Sequence, residues 1–372
     1  MRIAFVYDVP YPWHKGGVEY ILSVEARELA KKYDVSFFTL RWPGMGREFE
    51  YGKVKYKTFG RMDIDTAYRH GRRSVREVIS FSALMINIFR YDFDVIISDE
   101  FPVLHLLLLR AYCRLKGAKL ILKVEEVWDR RYWWKYLGVP VGEAAYLYSS
   151  AFVKPEGADY VVVSSTTAKK LEGMGVSKSR IRVFAPVLNS KEIEKMKKAA
   201  VRKTKRIFFS GRFIKEKRID KWLEAVKKVV EKDRSVRAVL VGNGPEKRRI
   251  LERIKNLGLE GHVTVKPFFK NKLALYKEIA SSGVLLHMSE REGLSIIAIE
   301  SVALGTPVVI PNYSPIPKEV KEMCFVEREE KIPDLLLKML NSKGKHAKNE
   351  TNLKMFSDSN VVNFYEQLIP KQ

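Results

Sequence analysis

The chain has 372 residues, enough for two ordinary cores, and its two cysteines, Cys113 and Cys324, lie far apart with no CxxC or metal-ligand spacing, which fits a reduced, cytoplasmic compartment. With 46% apolar and 30% charged residues it reads as a soluble globular protein, and its most apolar windows are broken well short of the ~20 residues that span a bilayer, which argues against an integral membrane protein. A formal charge of +24 favours polyanions without choosing among nucleic acid, an anionic membrane surface and phosphorylated small molecules, and scarce glutamine beside abundant Lys and Glu gives thermophile surface charge as a partial account.

"MRIAFVYDVP" is too short an apolar stretch for a signal-peptide core and reads as a first strand. In "PWHKGGVEY", Gly16 and Gly17 fall between this strand and the first helix, where helix amides and a pliable backbone suit an anion, although a plain tight turn fits the same residues. His14 lies beside them. The runs "DVSFFTL", "DVIISDE", "KLILKVE" and "DYVVVSS" alternate with helix-like stretches, which predicts βαβ units and one doubly wound domain over residues 1–187.

Within that half, "DID" at 63–65 and "DFD" at 92–94 match a loose metal-binding pattern, but the second precedes its strand, and no metal is expected. His105, in a Leu-rich helical run, is expected to be a packing residue, and no His/Cys/Asp cluster has zinc spacing. "RHGRRSVREVI" and "WDRRYWWKYLG" join cations to helical or aromatic positions. They suit a lipid headgroup surface, with Trp133 and Trp134 inserting beside Arg72, Arg73, Arg130 and Arg131; nucleic acid is the less favoured partner, and a solvated basic face is the plain alternative.

The pattern restarts after "SKEIEKMKKAAVRKTKR" with "IFFSG", "RAVLVGNG", "HVTVKPF", "GVLLHMS" and "TPVVIPN", a second Rossmann-like domain over 188–355. Residues 356–372, with helical spacing in "FSDSNVVNFYEQLI", are expected to cross back toward the first domain. The fold class is therefore α/β, two tandem Rossmann-like domains facing a central cleft, where such sheets bind ligands at the carboxyl ends of their strands.

The strand "RIFFS" runs into Gly211, with Arg212 next and Lys217 five residues later. A strand-end glycine lets a ligand approach the backbone, and the two cations suit a diphosphate. In "EREGLSIIAIE" the amides of Leu294 and Ser295 at a helix start suit phosphate oxygens, and Glu300 suits a vicinal diol such as a ribose. A nucleotide sugar contains both groups.

"GRFIKEK", Glu292 followed after seven residues by Glu300, "GGVE" near the start and "ALGTPVV" after the second Glu together resemble a retaining glycosyltransferase of family 4 with the GT-B fold, over nearly the whole chain. The resemblance implies a nucleotide-sugar donor, no cofactor or metal, and a glycan or lipid-linked acceptor, with a place on the inner face of the membrane. By it, Arg212 and Lys217 contact the diphosphate, helped by the Leu294 and Ser295 amides. Glu292 contacts the transferred sugar, Glu300 the ribose, and Gly17 closes over the phosphates. Front-face attack follows from the lack of an obvious carboxylate nucleophile. Where relatives carry His-Asp or His-Glu, this chain has Glu125 and Glu126, and an acid replaces an imidazole as a neutral donor only if its pKa is raised. Arg218, where relatives have Gly, and "APVLN" are smaller departures. Sugar-nucleotide epimerisation and a non-catalytic basic protein are the rival readings.

Overall fold

The computed structural model describes residues 1–14, 16–62, 68–69, 72–153, 157–199, 204–269, 271–342 and 351–370. It divides into two compact units, Met1–Pro186 with Asp358–Gln372, and Val187–Ser357.

The first unit is built on β1 (Arg2–Val6), β2 (Asp34–Leu40), β3 (Glu48–Tyr51), β4 (Val54–Phe59), β7 (Val95–Asp99), β8 (Lys119–Val124), β9 (Ala158–Val162) and β10 (Ile181–Val183), with a separate hairpin of β5 (Tyr68–Arg69) and β6 (Arg72–Arg73). The order is β10-β9-β8-β7-β1-β2-β4-β3, parallel except where β3 meets β4. β1, β7 and β8 are built on the apolar runs 3–6, 95–97 and 120–122, as strands of a sheet covered on both faces are. β3 and β4 had no place among the expected strands. They alternate polar and apolar residues and turn through Gly52 and Lys53, both at positive φ, as a tight two-residue hairpin requires.

The helices of this unit are α1 (Gly17–Leu29), α2 (Val75–Leu84), α3 (Leu106–Lys116), α4 (Arg130–Leu137), α5 (Val139–Val153) and α6 (Ser165–Gly173). Side chains cap several of their first turns: Ser74 accepts from the Glu77 amide, Asp129 from Tyr132 and Ser164 from Thr167. His105 is fully buried and bonded to Ser98 and the Pro102 carbonyl, the packing role expected of it. The motif at 63–65 and residues 70–71 lie outside the described residues, as do the side chains of Arg72 and Arg73. In the second acidic motif, Asp94 accepts from the Arg2 amide and Asp92 pairs with Lys116, at the amino end of β7.

The second unit carries β11 (Thr204–Ser210), β12 (Arg237–Val241), β13 (Val263–Lys266), β14 (Ser282–Leu286), β15 (Val308–Pro311) and β16 (Phe325–Glu327). All pairs are parallel, in the order β13-β12-β11-β14-β15-β16. Its helices are α7 (Ser190–Lys198), α8 (Ile219–Lys232), α9 (Lys247–Asn256), α10 (Lys272–Ser281), α11 (Ile296–Ala303), α12 (Lys318–Lys321) and α13 (Ile332–Asn341). α8 shows why: Ile219, Trp222, Leu223, Val226, Val229 and Val230 recur at three- and four-residue spacing and are all buried.

Only Val361–Glu366 of the expected C-terminal helix is α-helical (α14), and Thr351–Phe356 and Asp358–Asn360 form 3-10 turns. Asp358, Ser359 and Asn360 belong to the residue types whose side chains compete with the helical backbone. α14 packs on α1 within the first unit, and Lys32 pairs with Glu366.

Candidate active site

The strand order of the second unit reverses between β11 and β14, and the residues that leave their carboxyl ends meet there. Such a switch point is where open α/β sheets bind ligands. Gly211 follows β11, then exposed Arg212, the 3-10 turn Lys215–Lys217 and Arg218 in the left-handed region at φ 49. From β14 come His287, Ser289 and Glu292, and the Glu290 amide donates to the Glu216 carbonyl at 2.9 Å, tying the two loops together.

Glu292 is the centre of this knot. Its Oε1 meets Lys217 Nζ and lies 2.9 Å from His287 Nε2, while Ser295 Oγ lies 3.1 Å from the same nitrogen. Burial works against the carboxylate's charge, but Lys217 and His287 outweigh it and hold the group well below the usual carboxylate range. Glu292 is thus an acceptor for hydroxyls and has no proton to give. His287 was absent from the sequence-derived site. Its one signal was its place, directly after an apolar strand and five residues before Glu292.

Ser295 takes the left-handed conformation, φ 71, as the residue before α11, and Leu294 and Ser295 are both buried at this helix start. Glu300 lies on α11 and is 1% exposed. Its Oε1 accepts from Lys272 Nζ and stands 3.3 Å from the Tyr276 hydroxyl, both from α10. Burial raises its pKa, opposed by Lys272 and Tyr276 and reinforced by Glu192. Lys272 and Tyr276 were also absent from the sequence reading.

The "VGNGP" glycines have a structural reason. A Cβ at Gly242 would lie 2.0 Å from the Gly211 carbonyl oxygen, and one at Gly244 would lie 2.5 Å from that of Phe213. The loop after β12 presses against the loop after β11 and fixes it.

In the first unit, the place a side chain at Gly16 would take is filled by the carboxylate of Glu19, which also lies 2.9 Å from His14 Nδ1. Gly17 opens α1. Across the β1–β7 switch point, Asp99 ends β7, Glu100 follows it, and Glu125 follows β8. Glu125 Oε1 is buried without a hydrogen-bond partner. Burial pushes its carboxyl up to about 8, with Lys123 opposing and Asp99, Glu25 and Glu19 reinforcing. Burial, Asp99 and Glu125 raise Glu100 as well. Burial thus favours the protonated form of Glu125, the condition for an acid to act as a neutral donor. Among the described residues, no group of three or more His, Cys, Asp or Glu is placed to hold a metal ion.

Comparison with known proteins agrees with this layout. The family model described as Glycosyltransferase Family 4 matches residues 15–190, and that of Glycosyl transferases group 1 matches 190–353. N-acetyl-alpha-D-glucosaminyl L-malate synthase of Bacillus anthracis is 26% identical over 166 residues, 42% of each protein. The chain thus spans less than half the length of the curated relatives it matches. Among solved structures, WaaG, a glycosyltransferase of lipopolysaccharide biosynthesis, superposes with a TM-score of 0.68 at 15% identity over 98% of this chain and 95% of its own. Anabaena HepE in complex with UDP and glucose gives 0.67 at 13% identity, covering 99% of both chains. These structures share the GT-B fold, and the two family models together run from residue 15 to 353: the chain belongs to the family 4 glycosyltransferases.

Proposed function

We propose that the protein moves a hexose-like sugar from a nucleotide-diphosphate sugar to a glycan or lipid-linked acceptor, with retention at the transferred carbon and without a metal. The observation that carries this is the convergence of Gly211–Lys217, His287–Glu292 and the start of α11 at one switch point, cations and helix amides beside carboxylates. HepE, of the same fold, holds UDP and glucose.

In this reading Arg212, Lys217 and the amides of Leu294 and Ser295 take the charge that grows on the leaving diphosphate, where preorganised donors act most strongly. Glu292, fixed by Lys217 and His287, accepts from sugar hydroxyls, and Glu300 accepts from the ribose. The departing phosphate takes the acceptor proton in a front-face attack. Glu125, protonated, donates to the sugar where relatives use a His.

Arg212→Ala and Lys217→Ala each remove a charge-assisted contact of about 1.5–3 kcal/mol, so calorimetry shows nucleoside diphosphate affinity falling roughly 10- to 100-fold while nucleoside affinity holds. Lys217→Ala also lowers the melting temperature, because Glu292 keeps only His287 of its two partners. Wild-type diphosphate affinity in both variants overturns the assignment.

A further inference from the structure

α5 carries one charged residue in 15, Glu143, and that carboxylate faces α4. It accepts from the Trp134 indole at 2.8 Å and pairs with Arg130 at 3.2 Å, while Trp133 packs on Trp128 with ring centroids 4.7 Å apart. Trp134 therefore ties α4 to α5, and Trp133 packs on Trp128 just before α4, each of them half-buried. The helices are locked by close approach: a Cβ at Gly142 would stand 2.4 Å from the Trp133 carbonyl oxygen.

What α5 leaves outside is uncharged. Val141, Ala144, Tyr148 and Ala151 recur at helical spacing and are exposed, and Val139, Val141 and Leu147 are 54–60% exposed. A surface helix ordinarily turns such a stripe to the core. α5 also packs on the 3-10 turn Val103–His105, which touches α2 and leads into α3. On those helices Ile79 and Leu107 are exposed as well. Cations accompany the apolar face: Arg131 and Lys135 of α4 are exposed, and residues 130–153 hold three cations against one acid.

We propose that the α4–α5 hairpin docks on an anionic lipid bilayer, its Val141–Leu147 face entering the acyl boundary and Arg131 and Lys135 lying at the phosphates. The hairpin lies in the plane of the interface, since no helix among the described residues is long and apolar enough to cross a membrane. Charge selects the occupant. An anionic leaflet attracts a chain of +24, and a second copy repels it. The proposal does not depend on sugar transfer.

The test is co-flotation of the full chain with phosphatidylcholine vesicles, with and without phosphatidylglycerol. The protein floats with the phosphatidylglycerol vesicles at low salt, and added salt weakens binding without abolishing it. Val141→Glu and Leu147→Glu each lower the bound fraction about tenfold, because each puts a charge into the apolar boundary. Their melting temperatures and diphosphate affinities stay at wild type. Arg131→Gln with Lys135→Gln removes the salt-sensitive part alone. Absence of flotation at low salt overturns the proposal, as does flotation indifferent to Leu147→Glu. So does light scattering that shows a dimer dissociated by Leu147→Glu in a protein that does not float, since the occupant is then a second copy. Failure of diphosphate binding in a protein that still floats overturns only the donor assignment.

Discussion

Lys272 and Tyr276 both aim at one oxygen of Glu300, in a setting where burial favours the protonated acid. Lys272 is what opposes burial most, so it favours Glu300 as an acceptor, the state that the proposed ribose contact requires. Removing it leaves a buried carboxyl with Tyr276 as its remaining donor and Glu192 as a repelling neighbour, and such a group takes up a proton. Lys272→Met is therefore expected to lose about tenfold in affinity for a ribonucleoside diphosphate as pH falls through neutrality, and to recover part of it in alkaline solution. Its preference for ribo- over 2′-deoxyribonucleotides fades over the same range, while Lys272→Arg keeps both. Calorimetry with the two nucleotides between pH 6 and 9 checks this. An unchanged preference in Lys272→Met at every pH means that the ion pair serves only packing.

At the scale of elements, two strand-end loops hold each other in register. Gly242 is required for space, because a Cβ would strike the Gly211 carbonyl, whereas Gly258 at φ 66 has open space and is required only by conformation. Gly242→Ala should cost about 1–3 kcal/mol or more as overpacking and should weaken diphosphate binding by displacing Gly211 and Arg212. Gly258→Ala should cost about 1 kcal/mol and leave binding intact. Urea unfolding together with calorimetry separates the two, and equal effects on binding would sink the argument. These glycines show what sequence could convey. The β–α alternation was legible because buried parallel strands must be continuous apolar runs, and "GRFIKEK" with the paired glutamates was legible because charge stands out at strand ends. The reason for "VGNGP" was not, since it depends on a loop some thirty residues away in sequence passing within van der Waals distance. His287 and Lys272 stayed hidden for a related cause: a single His or Lys in a chain with 68 Lys and Arg acquires meaning only from the carboxylate it faces. β3 and β4 carry the alternation of half-buried strands about a Gly-Lys turn, and were passed over for want of a continuous apolar run.

Across the whole molecule, buried carboxyls set how stability follows pH. Glu25, Glu100, Glu125 and Glu300 are all raised by burial, Glu125 to about 8. A carboxyl whose folded pKa lies above its unfolded value stabilises most below the unfolded value, and that contribution is lost as pH climbs through the folded one. Glu292 has the opposite sign. Held low by Lys217 and His287 against burial, it contributes above the ordinary carboxylate range and fails only in acid. The chain's excess of positive charge also grows in acid, as exposed carboxylates take up protons and self-repulsion increases. The melting temperature is therefore expected to peak near pH 5 and decline toward pH 8, by an amount equivalent to a few kcal/mol from Glu125 alone. Salt distinguishes the causes. Raising ionic strength from 0.15 to 1 M shortens screening from about 8 to 3 Å, which relieves surface repulsion on the acid side but leaves the decline above pH 5, whose origin is burial. Glu125→Gln, which has no charge to acquire, should flatten that decline, and calorimetric scans from pH 4 to 9 at both ionic strengths measure it. A melting temperature that rises between pH 5 and 8, or a Glu125→Gln slope identical to wild type, would show that Glu125 is ionised in the folded protein, and with that the role proposed for it as a neutral donor would fall.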